Sequence, residues 1–158
     1  MILLTVGTQL PFDRLVRLVD QIAPQLDEEI FGQIGNGYYI PRNFTFHRTL
    51  GPVDFEQKVT ASRVIVSHAG IGSLLVAKKC VKPIIFFPRR SALGEHRNDH
   101  QLATCSQVQQ RVGVYVAYDE DELRTCLRDD NLFPMDDDGH DRSLLALTER
   151  IRHFIRSV

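Results

Sequence analysis

Apolar and polar positions recur along this chain in two periods, and the two take turns. Ile2–Val6 is a continuous apolar run, fit for a strand buried on both faces of a parallel sheet. Gly7-Thr8-Gln9 turns it into a helical pattern with Pro11 near the start and Leu15, Val16, Leu18, Val19 and Ile22 inside. Strand patterns return at Glu29–Ile34, closed by Gly35-Asn36-Gly37, and at Asn43–Leu50, closed by Gly51-Pro52. A short helix over Phe55–Ala61 leads into a fourth strand, Arg63–Ser67, followed by a helix over residues 72–80 and a strand over Pro83–Phe87. The pattern then predicts a helix over Asp99–Arg111, a last strand over Gly113–Ala117, a helix over Asp119–Arg128, a polar loop over Asn131–Asp141 and a final helix over Arg142–Arg156. Strand and helix in alternation, with short connections, predict an α/β fold built on a doubly wound parallel sheet. In such sheets ligands sit outside the carboxyl ends of the strands, where Gly7–Gln9, Ser67–Ser73 and Pro88–Gln101 are expected to converge.

Composition narrows the class. At 158 residues, 43% apolar and 25% charged, the chain suits one globular domain with a sizeable core. A formal charge of −1 provides no global basic field for nucleic acid or an anionic membrane. Cys80, Cys105 and Cys126 are odd in number and form no CxxC pair, which reads as reduced thiols in a cytosolic protein. Met1–Val6 is too short for a membrane span and lacks the basic region of a signal peptide. Any membrane association is therefore expected through a partner or a surface helix.

The candidate chemistry is concentrated in Ser67-His-Ala-Gly-Ile-Gly-Ser73, a loop that leaves an apolar strand and becomes a helix at Leu74-Leu-Val-Ala77. Gly70 and Gly72 let the backbone approach a ligand closely, and a new helix points unpaired N–H groups at it, an arrangement that suits phosphate. The dinucleotide fingerprint is missing: the first turn carries no GxGxxG, and Leu75 stands where the third glycine of the later loop would be. No Walker A string occurs either, so a nucleotide on the fourth and fifth βα loops fits better than NAD or ATP. His96 and His100, four apart, have the spacing of two zinc ligands on a helix, but no HExxH glutamate follows His96. Asp136-Asp-Asp138 has the DxD spacing of a metal–diphosphate site, yet a solvated acidic turn between Pro134 and Gly139 explains it as well. Arg89 and Arg90 either pair with phosphate or face water at a strand end, and His68 reads as a structural histidine of the loop.

Four strings, Val6–Val16 (VGTQLPFDRLV), Ser67–Ser73 (SHAGIGS), Lys82–Arg90 (KPIIFFPRR) and Gly94–Thr104 (GEHRNDHQLAT), resemble the C-terminal domain of family 28 glycosyltransferases. The likeness is nearest to PssE-type subunits of bacterial exopolysaccharide synthesis, which are similar to the cytosolic subunit of the two-part dolichol-linked UDP-GlcNAc transferase. It runs from Met1 to about Arg128. The resemblance implies a Rossmann-like fold, the C-terminal half of a GT-B enzyme, with residues 1–158 a single UDP-sugar donor-binding domain. It assigns Gly70, Ile71, Gly72 and Ser73, with His68 beside them, to the diphosphate and ribose, and Asn98, Asp99, His100 and Gln101 to the sugar hydroxyls and diphosphate. Glu95 and His96 fall in the same string, and Gly7, Thr8 and Gln9 match the first donor-side loop. Many relatives carry a glutamate for the ribose three residues after the Ser73 position, where this chain has Val76.

The activity so implied is inverting transfer of a hexose from a UDP-sugar to a lipid-linked saccharide, with no metal and no cofactor. The general base and the acceptor are expected on a separate membrane-associated subunit, which recruits this chain to the cytoplasmic face of the membrane. Residues 142–158, with Leu144, Leu147, Ile151, Phe154 and Ile155 as an apolar stripe, are expected to help dock that subunit, or a second copy of this chain when it is alone. Arg90 and Arg97 are placed to meet a uronate, but the sugar itself is not named by the residues. The competing reading is a non-catalytic nucleotide-binding or regulatory module. A hydrolase built on His96, His100 and the Asp136 loop stands third.

Overall fold

The computed structural model describes residues 1–135; the Asp136–Asp138 loop and the helix expected over 142–156 lie outside them. Strands β1 (Ile2–Thr5), β2 (Ile30–Gln33), β3 (Thr45–His47), β4 (Val64–Ser67), β5 (Ile84–Phe86) and β6 (Val114–Val116) form one parallel sheet in the order β3-β2-β1-β4-β5-β6. Helices α1 (Asp13–Ile22), α2 (Pro52–Ala61), α3 (Ile71–Lys79), α4 (His100–Val108) and α5 (Glu120–Arg128) connect them. The order reverses between β1 and β4, whose registers run Ile2↔Val64 to Thr5↔Ser67. Loops leaving these two strands diverge to opposite sides and open a crevice at their carboxyl ends.

Residue alternation along the strands assigns the two faces. Ile2, Leu4 and Val6 join α1 and α5 in one apolar layer, while Leu3 faces the layer built by α2, α3 and α4. Leu15, Val19 and Ile22 of α1 are fully buried, each side chain contributing about 1.5–3 kcal/mol of apolar transfer. That burial fixes α1, and with it the loop that precedes it, against the sheet.

Element order agrees with the sequence expectation, and the boundaries differ for local reasons. Helix α2 begins at Pro52 rather than Phe55, because proline at the first helical position has its φ preset and lacks only an N–H that no helical carbonyl would bond. β3 shrinks to three residues at the sheet edge, where only Phe46 of the three is partly buried. α4 starts one residue late and stops at Val108, the Asp99 carboxylate accepting from the N–H of Ser91 instead of capping the helix. Within the Pro88–Gln101 loop a 3-10 turn forms over Ser91–Leu93 and ends on Gly94 at φ +68°. Beyond α5 the chain crosses the edge strand β6 and buries Met135 in the α2–α4 layer, against Gly113.

Candidate functional site

A cavity of about 530 Å³ opens in the crevice. Its walls are Thr5–Leu10 after β1, Gln33 at the end of β2, and Leu50, Pro52 and Phe55 before and within α2. His68, Gly72, Ser73 and Val76 come from the β4–α3 segment, and Arg89, His96 and Gln101 from the β5–α4 segment. One end is thus apolar, and the other gathers hydroxyl, amide, imidazole and backbone groups. None of the described lining residues is Asp or Glu, the residue types that hold magnesium or manganese.

Helix α3 starts at the polar end. Gly70 is its cap residue, and no side chain caps the first turn. The N–H groups of that turn therefore keep their positive ends available to an anion beside Gly72 and Ser73. A Cβ on Gly72 would meet nothing within 4 Å, so packing does not demand glycine there; its bareness keeps the cavity open. Ser73 Oγ lies 2.8 Å from Ser67 Oγ, fixing the turn to the end of β4.

His68 occupies the gap between two loops. A Cβ on Gly7 would fall 2.8 Å from the imidazole Cε1, and one on Gly70 would fall 2.5 Å from Nε2. Both glycines are thus required by the ring, which also lies 3.3 Å from Ser67 Oγ through Nδ1. Burial first, then the charges of Arg89 and His96, lower the His68 pKa to about 4, so the ring is neutral at neutral pH.

Arg89 does not face water at the strand end. It is 2% exposed, and its guanidinium donates to the carbonyls of Val6 (2.8 Å), Leu10 (2.8 Å) and Pro11 (2.6 Å) while lying 4.6 Å over the Phe12 ring. Burial lowers its pKa to about 10, which leaves it charged. The loop after β1 is consequently held by a side chain from the β5–α4 segment. Gln101, 3% exposed, accepts the Arg89 N–H on Oε1 at 3.0 Å, leaving its amide nitrogen as the donor it can offer the cavity.

The site residues read from sequence divide accordingly. Gly7, Thr8, Gln9, His68, Gly72, Ser73, His96 and Gln101 line the cavity; Gly70, Ile71, Glu95, Asn98, Asp99 and His100 do not. Glu95 forms a two-pronged ion pair with Arg14 of α1 (2.6 and 2.8 Å) and accepts the Arg90 N–H at 2.9 Å. Arg14 also donates to Pro88 O and stacks 4.5 Å over Phe87. Arg90 gives its guanidinium to Tyr118 O. Asn98 holds His100, whose ring packs edge to face against His96 at 4.4 Å. No third metal-ligating side chain joins these two histidines among the described residues. Sequence reasoning missed the apolar wall of Leu50, Pro52 and Phe55, for which the only signal was that they follow a strand's carboxyl end.

A family model described as the glycosyltransferase family 28 C-terminal domain matches residues 1–142. No curated protein matches the chain. Among solved structures it is similar to MurG of Acinetobacter baumannii, with TM-score 0.59 and 19% identity over 83% of this chain and 42% of that one. It is also similar to the glycosyltransferase of kitacinnamycin (TM-score 0.61, 18% identity, 80% of this chain, 33% of that one). The calicheamicin glycosyltransferase CalG4 gives TM-score 0.55 at 16% identity, again over 80% of this chain and 33% of that one. At these identities the likeness is one of fold, and the chain spans between 33% and 42% of the length of the three.

Proposed function

The chain belongs to the glycosyltransferase family 28 C-terminal domain family, and from that premise we propose that its crevice binds a UDP-hexose donor for transfer to a lipid-linked acceptor. The observation that carries this reading is the uncapped start of α3 forming the polar end of a cavity at the sheet's reversal point. Helix N–H groups and the loop after β1 there neutralise a diphosphate, with no carboxylate among the described wall residues to repel it. Leu50, Pro52, Phe55 and Val76 give the opposite end an apolar surface suited to the planar base. Val76 stands on that wall and brings no hydroxyl partner, so the ribose is met by other groups than in the relatives that carry glutamate there.

The same lining supports a two-chain arrangement. Transfer with inversion needs a general base near the acceptor hydroxyl. The described wall residues include no carboxylate, and His68, lowered to about 4, is a weak base at neutral pH. The base is therefore assigned to a separate acceptor-binding subunit. Leu10, Val53, Ile71 and Leu93, between 40% and 69% exposed, stand on segments that leave the carboxyl ends of four strands and are the apolar side chains offered to it. No helix among the described residues is long and apolar enough to cross a membrane, so in this reading that subunit provides the membrane attachment. A role in exopolysaccharide synthesis and a docking contribution from residues 142–158 complete the proposal.

Calorimetry of UDP and UDP-glucose binding in EDTA tests it. Binding is expected without divalent metal, and Gly72→Val, which fills open space and leaves the fold intact, is expected to abolish it. Binding that requires magnesium or manganese, or normal binding by Gly72→Val, would overturn the assignment. Binding without transfer even beside the acceptor subunit would favour a non-catalytic nucleotide module.

A further inference from the structure

The structure separates two histidines that the sequence treats alike. His96 lines the cavity, and His100, exposed on the first turn of α4, does not. Their rings meet edge to face with centroids 4.4 Å apart and planes at 74°. His100 is fixed in turn, its Nδ1 paired with Asn98 Oδ1. His96 Nδ1 is sealed from solvent and has no partner among the described residues. A sealed, unpaired lone pair is tolerated better than a sealed, unpaired N–H, which places the ring proton on Nε2. That N–H is the polar group His96 can offer to the cavity it lines.

His96 shares the cavity wall with His68, Gly72 and Ser73. It and Arg89 are close enough to His68 to disfavour a charge on that ring, and His68 abuts the start of α3. Arg89, the one cation on the described wall, already has its guanidinium on three backbone carbonyls. An anion entering the polar end therefore meets the His96 donor and helix N–H groups, on a wall that also carries the Gln101 amide and the side chains of Thr8 and Gln9.

We propose that His96 donates Nε2–H to the diphosphate of the bound nucleotide, and that His100 is a positioning residue that sets the plane of the His96 ring through their edge contact. The proposal rests on the donor-binding reading above. It reassigns His100, which the sequence placed on the sugar, and it makes the His96 contact independent of the sugar.

Calorimetry with UDP and with UDP-glucose separates the roles. His96→Ala is expected to weaken both ligands about equally, by about 10- to 100-fold, the range of a hydrogen bond to a charged group. His96→Gln, which retains an N–H, is expected to recover part of the loss. His100→Phe keeps an aromatic edge without ring nitrogens and is expected to bind within about twofold of wild type, whereas His100→Ala is weakened. In the His96→Ala background, His100→Ala is expected to have no further effect on affinity, which a purely structural role for His100 would not produce.

Unchanged affinity in both His96 variants overturns the proposal while leaving the donor reading intact. So does a loss confined to UDP-glucose, a loss in His100→Phe as large as in His100→Ala, or additive losses in the double variant. If wild type binds neither nucleotide, both readings fall. Thermal melts of each variant keep unfolding apart from lost contact, and His96→Gln decides the matter should His96→Ala not fold.

Discussion

Acid should destabilise this protein earlier than its carboxylates alone would cause, and His68 is the reason. The ring is folded in neutral, its pKa lowered from 6.5 to about 4 by burial and then by the charges of Arg89 and His96. In the unfolded chain the same residue takes up a proton below about pH 6.5. Between 6.5 and about 4 the unfolded state binds the extra proton, so stability rises with pH through this window. The contribution is whole above 6.5 and is lost as pH falls towards 4. At about 1.4 kcal/mol per pH unit the ceiling is about 3 kcal/mol, and partial solvent contact of the ring brings it to roughly 2 kcal/mol. For a domain of ordinary stability, about 5–15 kcal/mol, that is a visible fraction. Urea unfolding at half-unit steps from pH 8 to pH 4.5, on wild type and on His68→Asn, measures it. The difference between the two profiles cancels the carboxylates they share and should show a slope in the wild type that the variant lacks. Saturating UDP should flatten the wild-type slope, because an adjacent diphosphate favours the imidazolium. Parallel profiles without ligand would refute the reasoning, since His68 would then titrate alike in both states.

Two other substitutions probe local geometry. Gly70→Ala drives a methyl to within 2.5 Å of His68 Nε2 although Gly70 has an ordinary φ of −104°, so it should cost about 1–3 kcal/mol in wild type and little in a His68→Ala background. Equal costs in the two backgrounds, measured by chemical denaturation, would place the clash elsewhere. Val81 holds a half-exposed β-branched side chain at φ +50°, and Val81→Gly should raise stability by about 1 kcal/mol; a thermal midpoint that stays level or falls would show that no strain was stored there.

The sheet was legible in the sequence because burial leaves a local record. Runs such as Ile2–Val6 and Val64–Ser67 are apolar at every step or nearly so, and only a strand covered on both faces needs that. The glycine-rich loop was legible for the same reason, its chemistry being contained in seven consecutive residues. What the sequence concealed were commitments between distant residues. Glu95 stands in a polar string suited to sugar hydroxyls, and nothing near it signals that Arg14, 81 positions away, will hold it. Arg89 looked like a strand-end cation because the three carbonyls that bind it come from a loop about 80 residues earlier. His100 and His96 share a motif, but α4 begins between them, with the Asp99 carboxylate turned to the Ser91 N–H, and only His96 lines the cavity. Pattern fixes which residues are buried; pairing decides which polar groups remain free for a ligand.

The Arg89 clamp also gives the loop after β1 a polarity. In a trans peptide the C=O and the following N–H point in opposite directions. A guanidinium that collects the carbonyls of Val6, Leu10 and Pro11 therefore turns the Gly7 and Phe12 N–H bonds away from itself. The arginine acts on a ligand it need not touch, by deciding which end of each peptide faces outward. Lysine at this position, with one compact ammonium in place of a planar fork, would keep the charge but not the alignment of all three peptides.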